Sequence, residues 1–407
     1  MPIQEGFFDI PQVKKETTGT TCTACGLYTQ VLSPRMEPFG EFKRGILNVG
    51  EAPGETEDRR GKQWQGKVGQ VLQMAYKELG FDLFEDCLNT NTINCRPTEK
   101  GGNRAPTPNE VSCCRPRLLK VIEACKPKVI VMFGQQAVTS IIGQKWQSDL
   151  GTISKWRGWT IPDRDFNAWL CPTFHPSFVE RGEKEIRTIW MQDLKQALSL
   201  VDTPLPPYED ETDKVEIVKD LHFLDSLKGP VAFDYETTGL KPHDTSKHRI
   251  VCMSVCNDPQ KAYAFMMPDD PDQLDCIRAL LQGQRGKIAQ NMKFEHTWTY
   301  NALGYEVRHW IWDTMLATHI MDNRPDVCGL KFQVYVQFGL GDYSSDVAPF
   351  LKSKTKDGNA VNQIDALTVS LTGKKKLLKY CGLDSLFEYR LAMKQMRELN
   401  VDKMFLV

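Results

Sequence analysis

Residues 229–240 read GPVAFDYETTGL, and this stretch decides how the second half of the chain folds. Val231, Ala232 and Phe233 form the short apolar run of a buried strand. Asp234 and Glu236 then follow one residue apart, and side chains so spaced on a strand point to the same face. Two carboxylates aimed at one point repel unless something positive lies between them. A hard divalent cation would neutralise them, because Mg²⁺ and Mn²⁺ prefer such oxygens. Taken alone, the stretch reads equally as an exposed edge strand with two solvated acids.

Further carboxylates lie downstream. KIAQNMKFEHTW (287–298) starts apolar and carries Asn291, then Glu295 in a helical stretch. IWDTMLATHIM (311–321) reads as a helix with Asp313 near its start. LLKYCGLDSLFEYRL (377–391) sets Tyr380 and Asp384 four apart, one turn along one helix face. In this order, FDYETTGL, NMKFE, DTMLA and Tyr380-x-x-x-Asp384 resemble the DEDDy 3′–5′ exonucleases, above all the proofreading domain of family A DNA polymerases, between residues 212 and 400. The resemblance implies a ribonuclease H-like α/β domain. It also implies two Mg²⁺ or Mn²⁺ ions, about 3.5–4 Å apart, held by Asp234, Glu236, Glu295 and Asp384. Tyr380 would orient the attacking water, and single-stranded 3′ ends of DNA would be the substrate. RNA is the alternative substrate, since ribonuclease D relatives share these carboxylates; ETTGL looks more like the DNA proofreading domains. One position departs from the pattern: the second motif normally supplies aspartate, and here Glu295 reaches one methylene further. Slower or Mn²⁺-favouring catalysis is the expectation.

The whole chain sets bounds on these readings. At 407 residues it exceeds one ordinary core, so two domains are the default. A hydrophobic fraction of 41% with 25% charged residues is that of a soluble globular protein. A net charge of −1 means that nucleic-acid binding cannot be argued from the total. Basic surface must be local, as in KSKTK (352–356) and KKK (374–376), and both runs read equally as solvated loops. No apolar stretch approaches a membrane span, and MPIQEGFFDIPQVKKETTG lacks the layout of a signal peptide. The expected location is the cytoplasm, that of a host if the chain is viral. Thirteen cysteines, an odd number, favour metal ligation over a disulfide framework.

DTPLPPYEDETD (202–213) has the proline and acid content of an extended linker, dividing domains at 1–201 and 214–407. Before it, the strands ILNV, LNTNTI, KVIVMF and WLCPTF alternate with helical patterns, which implies a parallel sheet with helices on both faces. Ligands of such sheets gather beyond the carboxyl ends of the strands. GEAPGETEDRRG (50–61), NTINCRP (91–97), FGQQA (133–137) and FHPS (174–177) all fall there. CTAC (22–25), Cys95, and Cys113 with Cys114 can complete either a zinc site or a [4Fe–4S] cluster; spacing does not choose.

Those motifs, with GEAPGETEDRRGKQWQGKVGQVL and NRAPTPNEVSCCRPRLL, resemble the family 4 uracil-DNA glycosylases across residues 20–200 in unbroken order. The resemblance implies a three-layer α/β/α fold and a [4Fe–4S] cluster on Cys22, Cys25, Cys95 and Cys114. Cys114 is preferred to Cys113 because the family's cysteine stands two before proline. It further implies uracil-containing DNA as substrate, with the base read by Asn91 and stacked on Trp64. His175 would stabilise the departing base, and Glu51 would orient water or stabilise the sugar cation. Where the family usually reads Gly-x-Pro-Phe-Val-Gly, this chain has Gly61-Lys62-Gln63-Trp64-Gln65-Gly66, so the base pocket is altered. The combination resembles the amino-terminal portion of certain bacteriophage DNA polymerases. Too little chain follows Asp384 for a polymerase domain, so either the sequence is part of a longer polymerase or a separate DNA polymerase is the expected partner; the sequence does not choose.

Overall fold

The computed structural model describes residues 22–146, 149–207, 209–353, 355 and 359–401. The opening segment read against a signal peptide, and Lys354 and Lys356 of the KSKTK run, lie outside the described residues. Two compact units divide the chain. One holds the described residues up to 207 together with Tyr335–Gly341, and the other holds Glu209–Val334 and Asp342 onward. The division falls within 202–213. Tyr335–Gly341, which the sequence division gives to 214–407, counts with the first unit, where Tyr335 meets Trp156 edge-on at 6.0 Å.

The first unit runs β1 (Ile46–Gly50), α1 (Glu55–Arg60), α2 (Lys67–Glu78), β2 (Cys87–Asn91), the hairpin β3 (Thr98–Glu99) and β4 (Gly102–Asn103), and α3 (Pro108–Cys125). Then come β5 (Val129–Phe133), α4 (Gln135–Ile141), α5 (Ile153–Trp156), β6 (Ile161–Asp163), β7 (Ala168–Thr173), α6 (Pro176–Arg181) and α7 (Lys184–Ser199). The main sheet has the order β2-β1-β5-β7-β6, with the first four strands parallel. β1 and β5 are buried at every position, as strands covered on both faces must be. Val129, Val131 and Phe133 share a core with Leu72 and Tyr76 of α2 and Trp190 and Leu194 of α7. The four strands read from the sequence form the expected parallel sheet, and a fifth that it did not show, β6, adds antiparallel to β7 at the edge. Three residues containing a proline carry no periodicity, and an edge strand tolerates the missing N–H.

The second unit runs β8 (Val215–Ile217), β9 (Val231–Thr237), β10 (Ile250–Asp258), β11 (Lys261–Met266), α8 (Pro271–Gln282), β12 (Lys287–Ala289) and α9 (Met292–Trp298). It continues with β13 (Trp310–Asp313), α10 (Thr314–Met321), α11 (Leu330–Phe338), α12 (Asp365–Thr368) and α13 (Leu371–Glu398). Its sheet has the order β13-β12-β9-β10-β11-β8, with β10 antiparallel to both neighbours and the other pairings parallel. GPVAFDYETTGL therefore lies in the middle of a mixed sheet. The solvated-edge reading of Asp234 and Glu236 is excluded, because β12 and β10 flank their strand on both sides. The segment 311–321 also needs correction: Asp313 ends a strand and caps α10, accepting from the backbone N–H of Met315 and Leu316.

Candidate active sites

In the first unit, strand ends build a crevice from residues far apart in sequence. Gly50 and Asn91 are register partners at the ends of β1 and β2. A Cβ on Gly50 would lie 2.4 Å from Asn91 Oδ1 and 3.0 Å from the Trp64 ring, so only glycine lets these two meet there. Trp64 holds φ at 57°, a costly backbone for a bulky side chain, and this conformation turns its ring inward. The ring lies 5.6 Å from Phe133 at the end of β5 and 5.8 Å from His175, just beyond β7. A Cβ on Gly134 would sit 3.1 Å from that of His175. Asn91, Trp64 and His175 are thus brought together. Glu51 follows Gly50 directly, its carbonyl held by the Ile93 N–H at 3.0 Å.

The electrostatics of the crevice are specific. His175 Nδ1 accepts from the Ser177 N–H at 3.2 Å and lies 2.8 Å from the Ser177 hydroxyl. Burial, with Arg181 adding to it, pushes the imidazole down to about 4. The ring is therefore neutral near pH 7, and with Nδ1 accepting, its proton sits on Nε2. Burial raises the Glu51 carboxyl. Trp64 is 6% exposed, and its Nε1–H is buried without a partner.

The four cysteines expected as ligands also converge, and none forms a disulfide. Cys25, Cys95 and Cys114 pack with Leu27, Ile93 and Val111 in one small core. Burial raises the Cys114 thiol to about 11, and the Cys25, Cys95 and Cys22 sulfurs add to that. The Arg35 N–H donates to Cys95 Sγ at 3.2 Å, and the Asn94 backbone stabilises Cys114 in the same way. Thiolates crowded in apolar surroundings with backbone N–H donors fit an iron–sulfur cluster. The neighbouring Cys113 turns its Sγ toward Asn109 Oδ1, 3.8 Å away. α3 places this pair in its second turn, after a capping box between Thr107 and Glu110 that the Arg104 guanidinium secures.

In the second unit, β9 directs Asp234 and Glu236 inward. Their carboxylates and Cys381 Sγ lie within 4.8 Å of one another, the only group of three or more possible metal-ligand side chains among the described residues. Glu295 enters from α9, which starts at Asn291 with φ 67°, fixed by Asp313 accepting from the Asn291 and Met292 N–H groups. α13 supplies Tyr380 and Asp384, both buried. Asp384 Oδ1 accepts from the Tyr343 hydroxyl at 2.5 Å and from Lys331 Nζ, which also reaches the Tyr343 oxygen at 2.9 Å. Asp384 thus joins the electrostatic cluster without joining the group of closest ligand atoms.

Burial, then the charge of Asp384, pushes the Asp234 carboxyl well up. Burial and then Asp234 do the same to Glu236 and to Glu295. Glu295 Oε2 has no hydrogen-bond partner. Several buried acids that raise one another, one of them orphaned, are a donor set whose negative charge Lys331 offsets only in part, and hard divalent cations fit it. Sequence reasoning missed Lys331, Tyr343, Cys381 and Glu388. Glu388 alone carried a signal, one turn beyond Asp384.

A family model described as the uracil DNA glycosylase superfamily matches residues 37–198, and one described as a 3′–5′ exonuclease of the DNA polymerase A type matches 208–400. The type-4 uracil-DNA glycosylase of Thermotoga maritima is 36% identical over 186 residues, covering 44% of this chain and 89% of that protein. The DNA polymerase of Bacillus phage SP01 is 26% identical over 331 residues, 71% of this chain but 34% of its own length. Among solved structures, Escherichia coli RNase D is similar over 46% of either chain, at 15% identity and a TM-score of 0.34. The matches define a chain of two hydrolase-type domains, a uracil-DNA glycosylase type followed by a 3′–5′ exonuclease type. It belongs to the type-4 uracil-DNA glycosylase family, with the polymerase-A-type exonuclease domain in the same polypeptide.

Proposed function

We propose that the protein is a bifunctional DNA enzyme of replication or repair, excising uracil and removing nucleotides from 3′ ends. One observation carries this reading: each unit gathers a buried, chemically distinct centre from side chains of several elements. In the crevice, Asn91 offers an acceptor and donors to the uracil edge and leaves cytosine's reversed pattern unpaired. The His175 Nε2–H faces the negative charge that grows on the departing base, a preorganised electrostatic role. Glu51 orients the attacking water or stabilises the sugar cation. Cys22, Cys25, Cys95 and Cys114 would hold a [4Fe–4S] cluster, which would tie the CTAC turn to α3 and the segment after β2.

In the second centre, Asp234, Glu236, Glu295 and Asp384 would hold Mg²⁺ or Mn²⁺. Bound there, such ions lower the pKa of a water and balance charge on the leaving 3′ oxygen. Tyr380 orients that water. Lys331, beside Asp384, supplies a fixed positive charge near the terminal phosphate. Single-stranded 3′ ends and uracil-containing DNA are the proposed substrates, and a separate DNA polymerase the proposed partner.

The test is paired assays on one preparation: abasic-site formation on uracil-containing oligonucleotides, and shortening of matched DNA and RNA strands with Mg²⁺ or Mn²⁺. A preparation that does neither refutes the reading, and faster loss of RNA moves the substrate to RNA. A colourless preparation containing zinc refutes the iron–sulfur assignment. The burial of Trp64 favours one second reading, in which the first unit binds DNA without excising uracil; exonuclease activity without abasic sites would establish it.

A further inference from the structure

The carboxylate cluster of the second unit holds one more acid than the site described above uses. Glu388 lies on α13 one turn beyond Asp384 and two beyond Tyr380, so these three share a helix face. That face is turned inward: Glu388 is 1% exposed. Neither of its carboxylate oxygens has a hydrogen-bond partner. Its electrostatic neighbours are Asp234 first, then Glu295 and Asp384, with the Lys331 ammonium opposing them. A glutamate buried for packing alone would be replaced to advantage by leucine, since an unpaired carboxyl in the interior costs free energy that no contact returns. Two orphan oxygens within electrostatic reach of the same three acids, though outside the tight group of Asp234, Glu236 and Cys381, are what an additional ligand presents when it has nothing to ligate.

We propose that Glu388 is a fifth carboxylate of the divalent-cation site, contacting the ion directly or through an ordered water. It acts with Glu295, whose Oε2 is likewise buried without a hydrogen-bond partner. Glu295 and Glu388 form a longer-armed pair completing the shell that Asp234 and Glu236 begin. The proposal rests on the cation-site reading given above.

Binding of Mn²⁺ to the whole protein without DNA, followed by calorimetry and by the electron paramagnetic resonance signal of free Mn²⁺, tests it. Glu388→Gln should weaken Mn²⁺ binding by about 10–100-fold, the range typical when a supporting ligand is lost. The metal-free melting temperature should stay close to that of the parent, because one unpaired buried polar group replaces another of the same size. Asp234→Asn is the control for the site itself. Wild-type affinity in Glu388→Gln with binding lost in Asp234→Asn overturns the role of Glu388 and leaves the cation site standing. Absence of Mn²⁺ binding to the unmodified protein, or unchanged binding in both variants, overturns both. If circular dichroism shows Glu388→Gln misfolded, Glu388→Leu gives the same reading without an unpaired amide.

Discussion

In the proposed uracil excision, Asn91 and His175 are the single side chains that would set selectivity and leaving-group stabilisation. An amide both donates and accepts, whereas a carboxylate only accepts. Asn91→Asp should therefore cost about 1–3 kcal/mol of discrimination, roughly one to two orders of magnitude between uracil and cytosine, read by excision from matched oligonucleotides. Unchanged selectivity would remove Asn91 from the site. His175 works as a neutral donor, and its affinity for a proton is depressed to about 4. The sign follows: the active form persists as pH falls through the ordinary histidine range and is lost only near the depressed value. In a pH–rate profile, His175 should therefore add no loss of excision of its own between neutrality and about pH 5, an earlier fall belonging to Glu51, whose carboxyl burial raises; a fall centred near 6.5 that survives in Glu51→Gln would contradict this assignment. These residues were legible because FHPS and NTINCRP follow recognisable strands. Gly50, Gly134 and Ser177 lay inside the same strand-end motifs, but their part in shaping the space was not legible, since it depends on which strands become neighbours.

At the scale of elements, α13 and α9 bring the second centre together. Gly382 lets α13 approach the sheet: a Cβ there would fall 2.2 Å from Val215 Cγ1 on β8. Gly382→Ala should destabilise the second unit by about 1–3 kcal/mol through overpacking, seen in thermal unfolding. A melting curve matching the parent would mean that α13 is less tightly seated. α9 presents Glu295 where an aspartate was expected, from a backbone fixed by Asp313. Mg²⁺ tolerates misplaced ligands less well than Mn²⁺. Glu295→Asp should accordingly raise the Mg²⁺-supported rate relative to the Mn²⁺-supported rate by about several-fold; an unchanged ratio would show that the extra methylene does not limit geometry. Periodicity located α13 and α9. It assigned Asp313 to a helix because the strand before it is short and ends in the residue that caps the next helix.

For the whole molecule, two units with separate cores make the two proposed chemistries separable. Asp234→Ala should abolish 3′ shortening and leave uracil excision at the parent rate. A divalent-ion chelator should act likewise on the parent protein, provided its iron content is unchanged. Persistent shortening of 3′ ends by Asp234→Ala would place the ion site elsewhere. Saturating Mn²⁺ should also raise the melting temperature of the second unit, since an ion that binds only the folded state stabilises it. Among the described residues no helix is long and apolar enough to cross a membrane.

The amino-acid sequence alone determined the two α/β domains, the order of their motifs and the side chains able to carry each chemistry, because spacing along strands and helices is written locally. Tertiary structure alone decided that β9 is central, that Asp384 is bound by Lys331 and Tyr343, that Trp64 is buried against His175, and that Glu388 is buried with both oxygens unpartnered. Those outcomes depend on which distant segments share a face and exclude water between them. No local pattern encodes that, since burial, and the electrostatics that follow from it, belong to the assembled fold.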